Sequence, residues 1–167
     1  MARVVLVGLP GTGKSTVGRR VAALLDCNFV DTDILIRQTT GKSSAELLRT
    51  KGEEYFREQE LSVLQKALDI GGVVATGGGV VTTPKAREIL KSAPTVWLDS
   101  SDQQLERRVR YGDRPLLATN PRKQLAALRA KRSSWYEEVA RVKVMSNGSE
   151  AAIASEIAEL VKGWSCE

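Results

Sequence analysis

The stretch GLPGTGKS, residues 8–15, follows the apolar run Arg3–Val7 and matches the pattern G-x-x-x-x-G-K-[ST]. Glycines in such a loop let successive backbone N–H groups turn inward around phosphate oxygens, and a following helix adds positive potential. Lys14 can then reach the β- and γ-phosphates, and the Ser15 hydroxyl can ligate Mg²⁺. The stretch therefore predicts a site for a nucleoside triphosphate. The predicted contacts to the nucleotide in this loop are Gly11, Thr12, Gly13, Lys14, Ser15 and Thr16.

Short apolar runs alternate with helical patterns along the whole chain, which favours parallel βαβ units and an α/β fold. Strands are predicted at Arg3–Val7, Asn28–Val30, Val73–Ala75, Thr95–Leu98 and Val142–Val144. Helices are predicted between these strands, and a last helix from about Glu150 to Val161. Several helix starts carry their own signals, namely a capping box of Ser43 with Glu46 and the pairs Thr83-Pro84 and Asn120-Pro121.

The composition limits both the size of the fold and its chemistry. A chain of 167 residues with 42% hydrophobic content has enough apolar residues for one domain, expected to span residues 1–167. The absence of histidine excludes Ser-His and Cys-His nucleophilic machinery and metal sites with histidine ligands. Cys27 and Cys166 stand alone, without CxxC spacing, and are expected to be free thiols.

Charge and hydropathy predict the partners and the location. The net charge of +5 and the pI near 9.4 favour anionic partners. The Lys and Arg residues are spread along the chain, so a small anionic ligand is expected and a nucleic acid is not. The chain opens on an apolar strand without a basic leader, and no apolar stretch reaches membrane-spanning length. We therefore expect a soluble cytoplasmic protein without a membrane partner, and a monomer because no long exposed apolar stripe stands out.

Two segments compete for the role of magnesium carboxylate. Thr95–Asp99 is an apolar run that ends in an acid, whereas residues 31–33, DTD, offer two acids after a shorter strand. In an extended stretch, residues two apart point the same way, so Asp31 and Asp33 are expected to face one crevice beyond the strand ends. Asp31 is assigned to the metal with Ser15, and Asp33 to an acceptor. Asp99 precedes SSD and is expected to belong to a helix-capping turn.

The stretch VVATGGGVV, residues 73–81, places three glycines after a predicted strand. No Gly-Lys-Ser follows them, so they do not form a second phosphate loop. Without Cβ atoms, Gly77, Gly78 and Gly79 allow the backbone to approach a bound ligand closely and to turn N–H groups towards it. A plain tight turn is the alternative interpretation.

Taken together, these motifs resemble the shikimate kinase family, and the resemblance covers nearly the whole chain. The matching segments are GLPGTGKST at 8–16, DTD at 31–33, GEEYFREQE at 52–60, GGG at 77–79, RPLL at 114–117 and KRSSWY at 131–136. The resemblance implies a nucleoside-monophosphate-kinase-like fold, with a five-stranded parallel sheet, a mobile lid at about 111–119 and a substrate-binding helical region at about 33–60. It implies Mg²⁺-assisted transfer from ATP to the 3-hydroxyl of shikimate, giving shikimate 3-phosphate and ADP in the chorismate and aromatic amino-acid pathway.

The resemblance also implies how the substrate is held. Arg57 and Arg132 match the family's carboxylate clamp, and two guanidinium groups can hold one carboxylate through planar, charge-assisted hydrogen bonds. Glu60, one helical turn after Arg57, is expected to hold that arginine in place. Asp33 would accept hydrogen bonds from the ring hydroxyls and take the proton of the attacking one. The triple glycine would lie close to the ring. Phe56, Pro115 and Leu116 would line the apolar side of the ring.

Two arginines are expected at the nucleotide. Arg114, in the lid, would act on the β- and γ-phosphates as an arginine finger and would complete the catalytic set with Lys14 and Asp33. Arg108 would lie against the adenine, although Arg107 and Arg110 are neighbouring candidates. The chain departs from some relatives at the adenine site, since the loop Ser146–Ser149 has no arginine. Arg37 stands where close relatives carry an acid.

Two other functions remain open from the sequence. A gluconate-type kinase for another polyol acid would share the phosphate loop, but it gives no reason for paired arginines and a triple glycine in this order. A phosphate-loop switch that binds a protein partner is the third possibility, and no N-K-x-D guanine signature supports it.

Overall fold

Five parallel strands form the centre of the fold in the computed structural model, which describes residues 1–110 and 120–164. The strands are β1 (Ala2–Val7), β2 (Phe29–Asp31), β3 (Gly72–Ala75), β4 (Thr95–Asp99) and β5 (Val142–Met145). The helices are α1 (Lys14–Leu24), α2 (Thr32–Thr40), α3 (Ser44–Lys51), α4 (Glu53–Ile70), α5 (Pro84–Ser92), α6 (Asp102–Arg110), α7 (Pro121–Val139) and α8 (Glu150–Trp164). A short 3-10 turn covers Val80–Thr82.

The strand order in the sheet is β2-β3-β1-β4-β5, and every neighbouring pair runs parallel. The carboxyl ends of all five strands therefore meet at one edge, where ligands bind in open α/β sheets. The α/β fold and its five-stranded parallel sheet are confirmed. The predicted strands differ from the observed ones by about one residue at an end, because frayed strand ends carry little signal in the sequence.

Alternation along β1 divides the core between the two faces of the sheet. Val5 and Val7 face a cluster shared with α4, α5 and α7, and Val4 and Leu6 face a cluster shared with α1 and α8. A smaller apolar cluster joins α2, α3 and α4 through Ile36, Leu47, Phe56 and Val63. The region predicted at about 33–60 is thus helical, and it stands beside the sheet edge at the end of β2.

Helix starts are fixed by the expected residues at two of the three signalled positions. Ser43 and Glu46 form the full capping box of α3, and the Asn120 side chain accepts from the backbone N–H of Lys123 at the start of α7. Pro84 begins α5, but within the described residues the Thr83 side chain makes no capping hydrogen bond. The proline alone marks that start, since its fixed φ suits the first helical turn.

Several expectations fall on residues that the structure does not describe. The proposed lid at 111–119, with Arg114, Pro115 and Leu116, lies outside the described residues, as does Cys166. Cys27 is a half-buried free thiol. Within residues 1–110 and 120–164, no helix combines the length and the apolar character needed to cross a membrane.

Candidate active site

The phosphate loop connects β1 to α1, and its backbone requires glycine at both ends. Gly8 has a φ of 152°, and a Cβ there would overlap the carbonyl oxygen of Leu98. Gly13 caps α1 in the left-handed region, with a φ of 87°. These two positions allow residues 8–13 to turn tightly against the strand and point the start of α1 at the loop.

The Lys14 ammonium lies inside this loop. Its Nζ donates to the carbonyl oxygens of Gly8 at 2.8 Å and Leu9 at 2.9 Å, and the residue is only 8% exposed. Thr12 is buried beside it and donates to Leu9, whereas Thr16 is exposed on the first turn of α1. A cation is thus placed within the loop that the sequence assigned to phosphates.

Ser15, in the first turn of α1, contacts Asp31, the last residue of β2. The Ser15 hydroxyl donates to Oδ2 of Asp31 at 2.5 Å. The other carboxylate oxygen, Oδ1, accepts from the backbone N–H groups of Asp33 at 2.9 Å and Ile34 at 3.3 Å, so Asp31 is the N-cap of α2. This cap fixes the orientation of the carboxylate towards Ser15.

The prediction that residues 31–33 form one extended stretch, with Asp31 and Asp33 pointing the same way, was wrong. Asp31 is the extended last residue of β2, but α2 begins at Thr32 and places Asp33 in its first turn. Asp33 therefore turns away from Asp31 along the helix and lines a cavity beside the phosphate loop. There its Oδ1 accepts from the Ser44 hydroxyl at 3.2 Å. The start of α2 between the two acids gives their side chains different surroundings.

Asp99, the competing carboxylate, is surrounded by cations. It is 2% exposed, its oxygens lie 3.1–3.2 Å from Nη1 of Arg129, and Oδ2 is 3.3 Å from Nζ of Lys143. A structural role was expected, but the capping role belongs to Ser101, whose hydroxyl accepts from the backbone N–H of Gln104. This buried acid therefore has two cationic partners within the protein.

A cavity of about 550 Å³ opens next to the phosphate loop, between α2, α3, α4 and α7. Its lining combines apolar side chains with both signs of charge. The lining residues are Pro10, Asp33, Ser44, Ala45, Leu48, Phe56, Arg57, Glu60, Gly77, Gly78, Gly79, Gln124, Ala127, Leu128, Lys131 and Arg132. The cavity thus brings together Asp33, Arg57, Arg132 and the triple glycine, all of which the sequence proposed for one substrate.

The two predicted clamp arginines line this cavity from opposite helices. Arg57 on α4 pairs with Glu60 at 2.8 Å and lies 3.5 Å from Glu53, which holds its guanidinium in place. Arg132 projects from α7, and its buried Nε has no hydrogen-bond partner among the described residues. Burial raises the pKa of the Glu60 carboxyl, and the Arg57 guanidinium opposes that shift.

Residues 77–79, called here the triple-glycine loop, are packed too closely for side chains. A Cβ on Gly77 would lie 3.2 Å from carboxylate oxygens of Asp33 and Glu60, and one on Gly78 would lie 2.9 Å from Pro10. A Cβ on Gly79 would lie 2.6 Å from Nη1 of Arg57. The triple-glycine loop is therefore in close contact with the phosphate loop, with Asp33 and with Arg57.

Arg108 lies against the outer side of the phosphate loop. Its Nη1 donates to the carbonyl of Gly11 at 3.0 Å, and its Nη2 donates to the carbonyl of Ser146 at 3.4 Å. The Ser146 hydroxyl in turn donates to the carbonyl of Thr12 at 2.9 Å. Of the two neighbouring candidates, Arg107 is exposed, and the side chain of Arg110 is not among those that the structure describes. Arg37 is exposed on α2 and does not line the cavity.

Sequence reasoning missed most of the cavity wall formed by α7. Five of its lining residues follow the spacing i, i+3, i+4, i+7 and i+8, which places them on one face of a helix. They are Gln124, Ala127, Leu128, Lys131 and Arg132. This mixed face shows no simple apolar stripe, so only the periodicity, counted back from Arg132, was available as a signal.

Comparison with known proteins gives consistent results over the whole chain. A family model described as "Shikimate kinase" matches residues 10–162. The chain is 43% identical over 150 residues to a shikimate kinase of Corynebacterium jeikeium, covering 89% of this chain and 81% of that one. It also resembles the solved shikimate kinase of Acinetobacter baumannii in complex with shikimate, with a TM-score of 0.87 and 36% identity over 96% of this chain and 92% of that one.

A gluconokinase of Sinorhizobium meliloti bears on the alternative function. Its structure covers 98% of this chain, and this chain covers 97% of it, but the TM-score is 0.58 and the identity is 18%. At that identity the likeness concerns the fold alone.

Proposed function

The chain belongs to the shikimate kinase family, and from this premise we propose that it transfers the γ-phosphoryl group of ATP to the 3-hydroxyl of shikimate. The products are shikimate 3-phosphate and ADP, a step in the chorismate and aromatic amino-acid pathway. The observation that carries this assignment is the cavity, where Arg57, Arg132 and Asp33 face one space beside the phosphate loop.

The charges of the cavity suit a hydroxylated ring acid. Shikimate carries a carboxylate at one end of a six-membered ring and three hydroxyls around the rest. Arg57 and Arg132 supply planar donors for the carboxylate, and the buried, unpartnered Nε of Arg132 leaves a donor in need of an acceptor. Phe56 offers an apolar surface to the ring. We propose these residues, with Gly77, Gly78 and Gly79, as the substrate-binding set.

Asp33 is proposed as the residue that orients the acceptor hydroxyl. Its carboxylate is held by the Ser44 hydroxyl and by its place in the first turn of α2, so it presents a fixed acceptor. Transfer of a phosphoryl group passes through a loose transition state with little early need for a strong base. Asp33 therefore contributes mainly orientation, and it takes the proton as the new bond forms.

Lys14 is proposed to neutralise charge on the transferring group. Its ammonium already lies inside the phosphate loop, where it binds the carbonyls of Gly8 and Leu9. Phosphate oxygens are stronger acceptors than these neutral carbonyls, and Nζ has a short distance to move. The rest of the nucleotide site is proposed from the loop residues Gly11, Thr12, Gly13, Ser15 and Thr16, with Arg108 beside the adenine.

Ser15 and Asp31 are proposed as the magnesium site, because their oxygens lie 2.5 Å apart at the phosphate loop. Hydroxyl and carboxylate oxygens are the donors that Mg²⁺ prefers, and few protein groups suffice for it. When bound there with ATP, the ion would supply positive charge to the phosphates. Capping of α2 keeps the Asp31 carboxylate aimed at this position.

The remaining assignments rest on the sequence. Arg114 is proposed as the arginine finger of the lid, and it lies outside the described residues. A cytoplasmic location is proposed because the reaction consumes ATP. A monomer is proposed because residues of one chain supply every group assigned above.

Coupled measurement of ADP release tests the proposed function. Shikimate, gluconate and no acceptor are compared at the same MgATP concentration, with Lys14→Met as the matched control for contaminating kinases. We expect turnover with shikimate that far exceeds the other two conditions and is lost in the control. Faster turnover with gluconate would assign the other kinase activity, and equal rates in all three would indicate a nucleotide hydrolase or switch.

A further inference from the structure

Tyr136 links α7, which forms one wall of the cavity, to the triple-glycine loop. It lies one helical turn after Arg132 on α7 and is completely buried, and its ring packs against Trp97 of β4 with centroids 5.7 Å apart. Its hydroxyl donates to the carbonyl oxygen of Gly78 at 2.5 Å. Packing alone would be satisfied by phenylalanine, so the buried hydroxyl has a separate purpose.

Among the described residues, three side-chain hydrogen bonds hold the triple-glycine loop and the residue before it, Thr76. The Thr76 hydroxyl donates to the Leu6 carbonyl of β1 at 2.9 Å, and the backbone N–H of Gly77 donates to the Thr32 hydroxyl of α2 at 3.2 Å. Both ties join the loop to the sheet side of the cavity. The Tyr136 hydroxyl, acting on Gly78, is the tie to α7, the helix that carries Arg132.

Movement of this loop would change the site, because Arg57 packs directly on it. A Cβ at Gly79 would lie 2.6 Å from the Arg57 guanidinium, so the loop backbone is the surface on which that group rests. A Cβ at Gly78 would lie 2.9 Å from Pro10 of the phosphate loop. The position of residues 77–79 therefore sets where Arg57 stands relative to α7 and Arg132.

We propose that Tyr136 is a positioning residue for substrate binding, whose hydroxyl fixes the distance between the triple-glycine loop under Arg57 and the helix that presents Arg132. The proposal rests on the proposed function, since it assumes that both arginines hold one substrate carboxylate. Tyr136 is not among the residues that line the cavity, so it is proposed to act through the loop and not on the substrate. Burial raises its pKa to about 12, so the hydroxyl remains a donor at neutral pH.

The decisive variant is Tyr136→Phe, with Tyr55→Phe as the matched control. The first removes the donor and keeps the ring, whereas the second makes the same change on an exposed tyrosine of α4. We expect the KM for shikimate to rise about tenfold in Tyr136→Phe, the value of one lost buried hydrogen bond. The KM for ATP should stay within about twofold in both variants, because ATP binding depends on ties that both retain.

A double-mutant cycle separates positioning from general destabilisation. In an Arg132→Ala background the spacing of the two arginines no longer matters, so the Tyr136→Phe effect on kcat/KM for shikimate should shrink to about twofold or less. The Tyr136 hydroxyl also interacts directly with Arg132, so the coupling is interpreted together with the substrate that is affected. A structural residue would change the constants for both substrates alike, whereas a positioning residue changes those for shikimate. All constants are measured well below the unfolding midpoint of each variant.

Three outcomes would overturn the proposal. They are an unchanged KM for shikimate, a full effect that persists in the Arg132→Ala background, and a Tyr136→Phe chain that does not fold at all. Wild-type protein is assayed first. Absence of shikimate turnover there would refute the proposed function, whereas wild-type turnover with an unaffected variant would refute the role of Tyr136 alone.

Discussion

Asp31 and Asp99 both end parallel strands at the same edge of the sheet, yet their side chains meet opposite kinds of partner. Asp31, the last residue of β2, binds a hydroxyl and two backbone N–H groups. Asp99, the last residue of β4, contacts a guanidinium and an ammonium. We refer to residues 31–33 with α2 as the β2 side, and to Asp99 and Asp102 with Arg129 as the β4 side.

Under the proposed metal assignment, the two acids differ in charge balance and not in their position at a strand end. On the β4 side the described partners of the carboxylate are cations. On the β2 side the hydrogen-bond partners of Asp31 among the described residues are neutral, so its charge remains available to a cation. An apolar run that ends in an acid is therefore insufficient to identify a metal site unless the basic partners are known.

The largest difference between the two sides should appear in turnover. Asp33→Asn on the β2 side should lower kcat by about 10²- to 10⁴-fold, since it loses an oriented proton acceptor. The loss should persist at every Mg²⁺ concentration, while MgATP still binds. Asp102→Asn, which alters an exposed carboxylate paired with Arg129, is the control and should keep wild-type kcat. Equal losses in both variants, measured by ADP release, would remove the distinction between the sides.

Two arginines extend the comparison to substrate binding. Arg57→Ala should weaken shikimate binding by about 2–5 kcal/mol, because the carboxylate of shikimate would lose one of its two guanidinium partners in a desolvated site. Arg132→Ala should behave likewise. Arg129→Ala removes a guanidinium of similar burial that faces Asp99 and should instead lower stability. Isothermal calorimetry with shikimate, and separately with ATP, distinguishes the three, and unchanged shikimate affinity in both clamp variants would rule the clamp out.

The metal requirement sharpens the contrast between the two strand-ending acids. Asp31→Asn should raise the Mg²⁺ concentration for half-maximal rate by about 10-fold or more, with part of the activity restored at high metal. The variant also changes an N-cap, so circular dichroism should accompany the titration. If the Mg²⁺ dependence shifted in Asp99→Asn and stayed normal in Asp31→Asn, the metal would belong to the β4 side.

Asp99→Asn should instead affect folding. Neutralising the acid leaves Arg129 and Lys143 without their shared counter-charge, at a cost of about 2 kcal/mol in the free energy of unfolding. Urea denaturation measures this loss. Equal stability of Asp99→Asn and wild type would mean that the ion pairs contribute nothing and that the β4 side needs another explanation.

The smallest expected effect concerns Tyr136, which reaches from α7 to Gly78 and packs on Trp97 of β4. Burial raises its pKa from 10.0 to about 12, so the folded chain resists its ionisation more than the unfolded chain does. The contribution of neutral Tyr136 to the free energy of unfolding is complete below pH 10 and is lost as the pH rises towards 12. At pH 11 wild type should have lost about 1.4 kcal/mol more than Tyr136→Phe. Parallel stability curves between pH 8 and about 11 would refute this pKa.

The sequence was sufficient to predict the fold, the phosphate loop and the Arg57–Glu60 pair. Strands were recognisable because each apolar run is short and is bounded by turn or capping residues. The phosphate loop and the Arg57–Glu60 pair were predictable because their partners lie within one loop or one helical turn. Such contacts are local, so they are encoded by spacing alone.

The remaining parts of the site depend on contacts that spacing does not encode. The chain was expected to stay extended from Asp31 to Asp33, but α2 begins at Thr32, and an Asp before Thr-Asp-Ile is equally compatible with an extended end and with an N-cap. The partner of Asp99 is Arg129, thirty residues later along the chain, and nothing in either segment identifies the other. The α7 wall and the bond from Tyr136 to Gly78 likewise result from the packing of distant elements.

The crowding of Gly79 against Arg57 limits how the cavity can change over generations. Any side chain at position 79 would displace the guanidinium from the place where Glu60 holds it. Substitutions at positions 79 and 57 are therefore expected to be coupled over generations, since a side chain at one position requires the other to move.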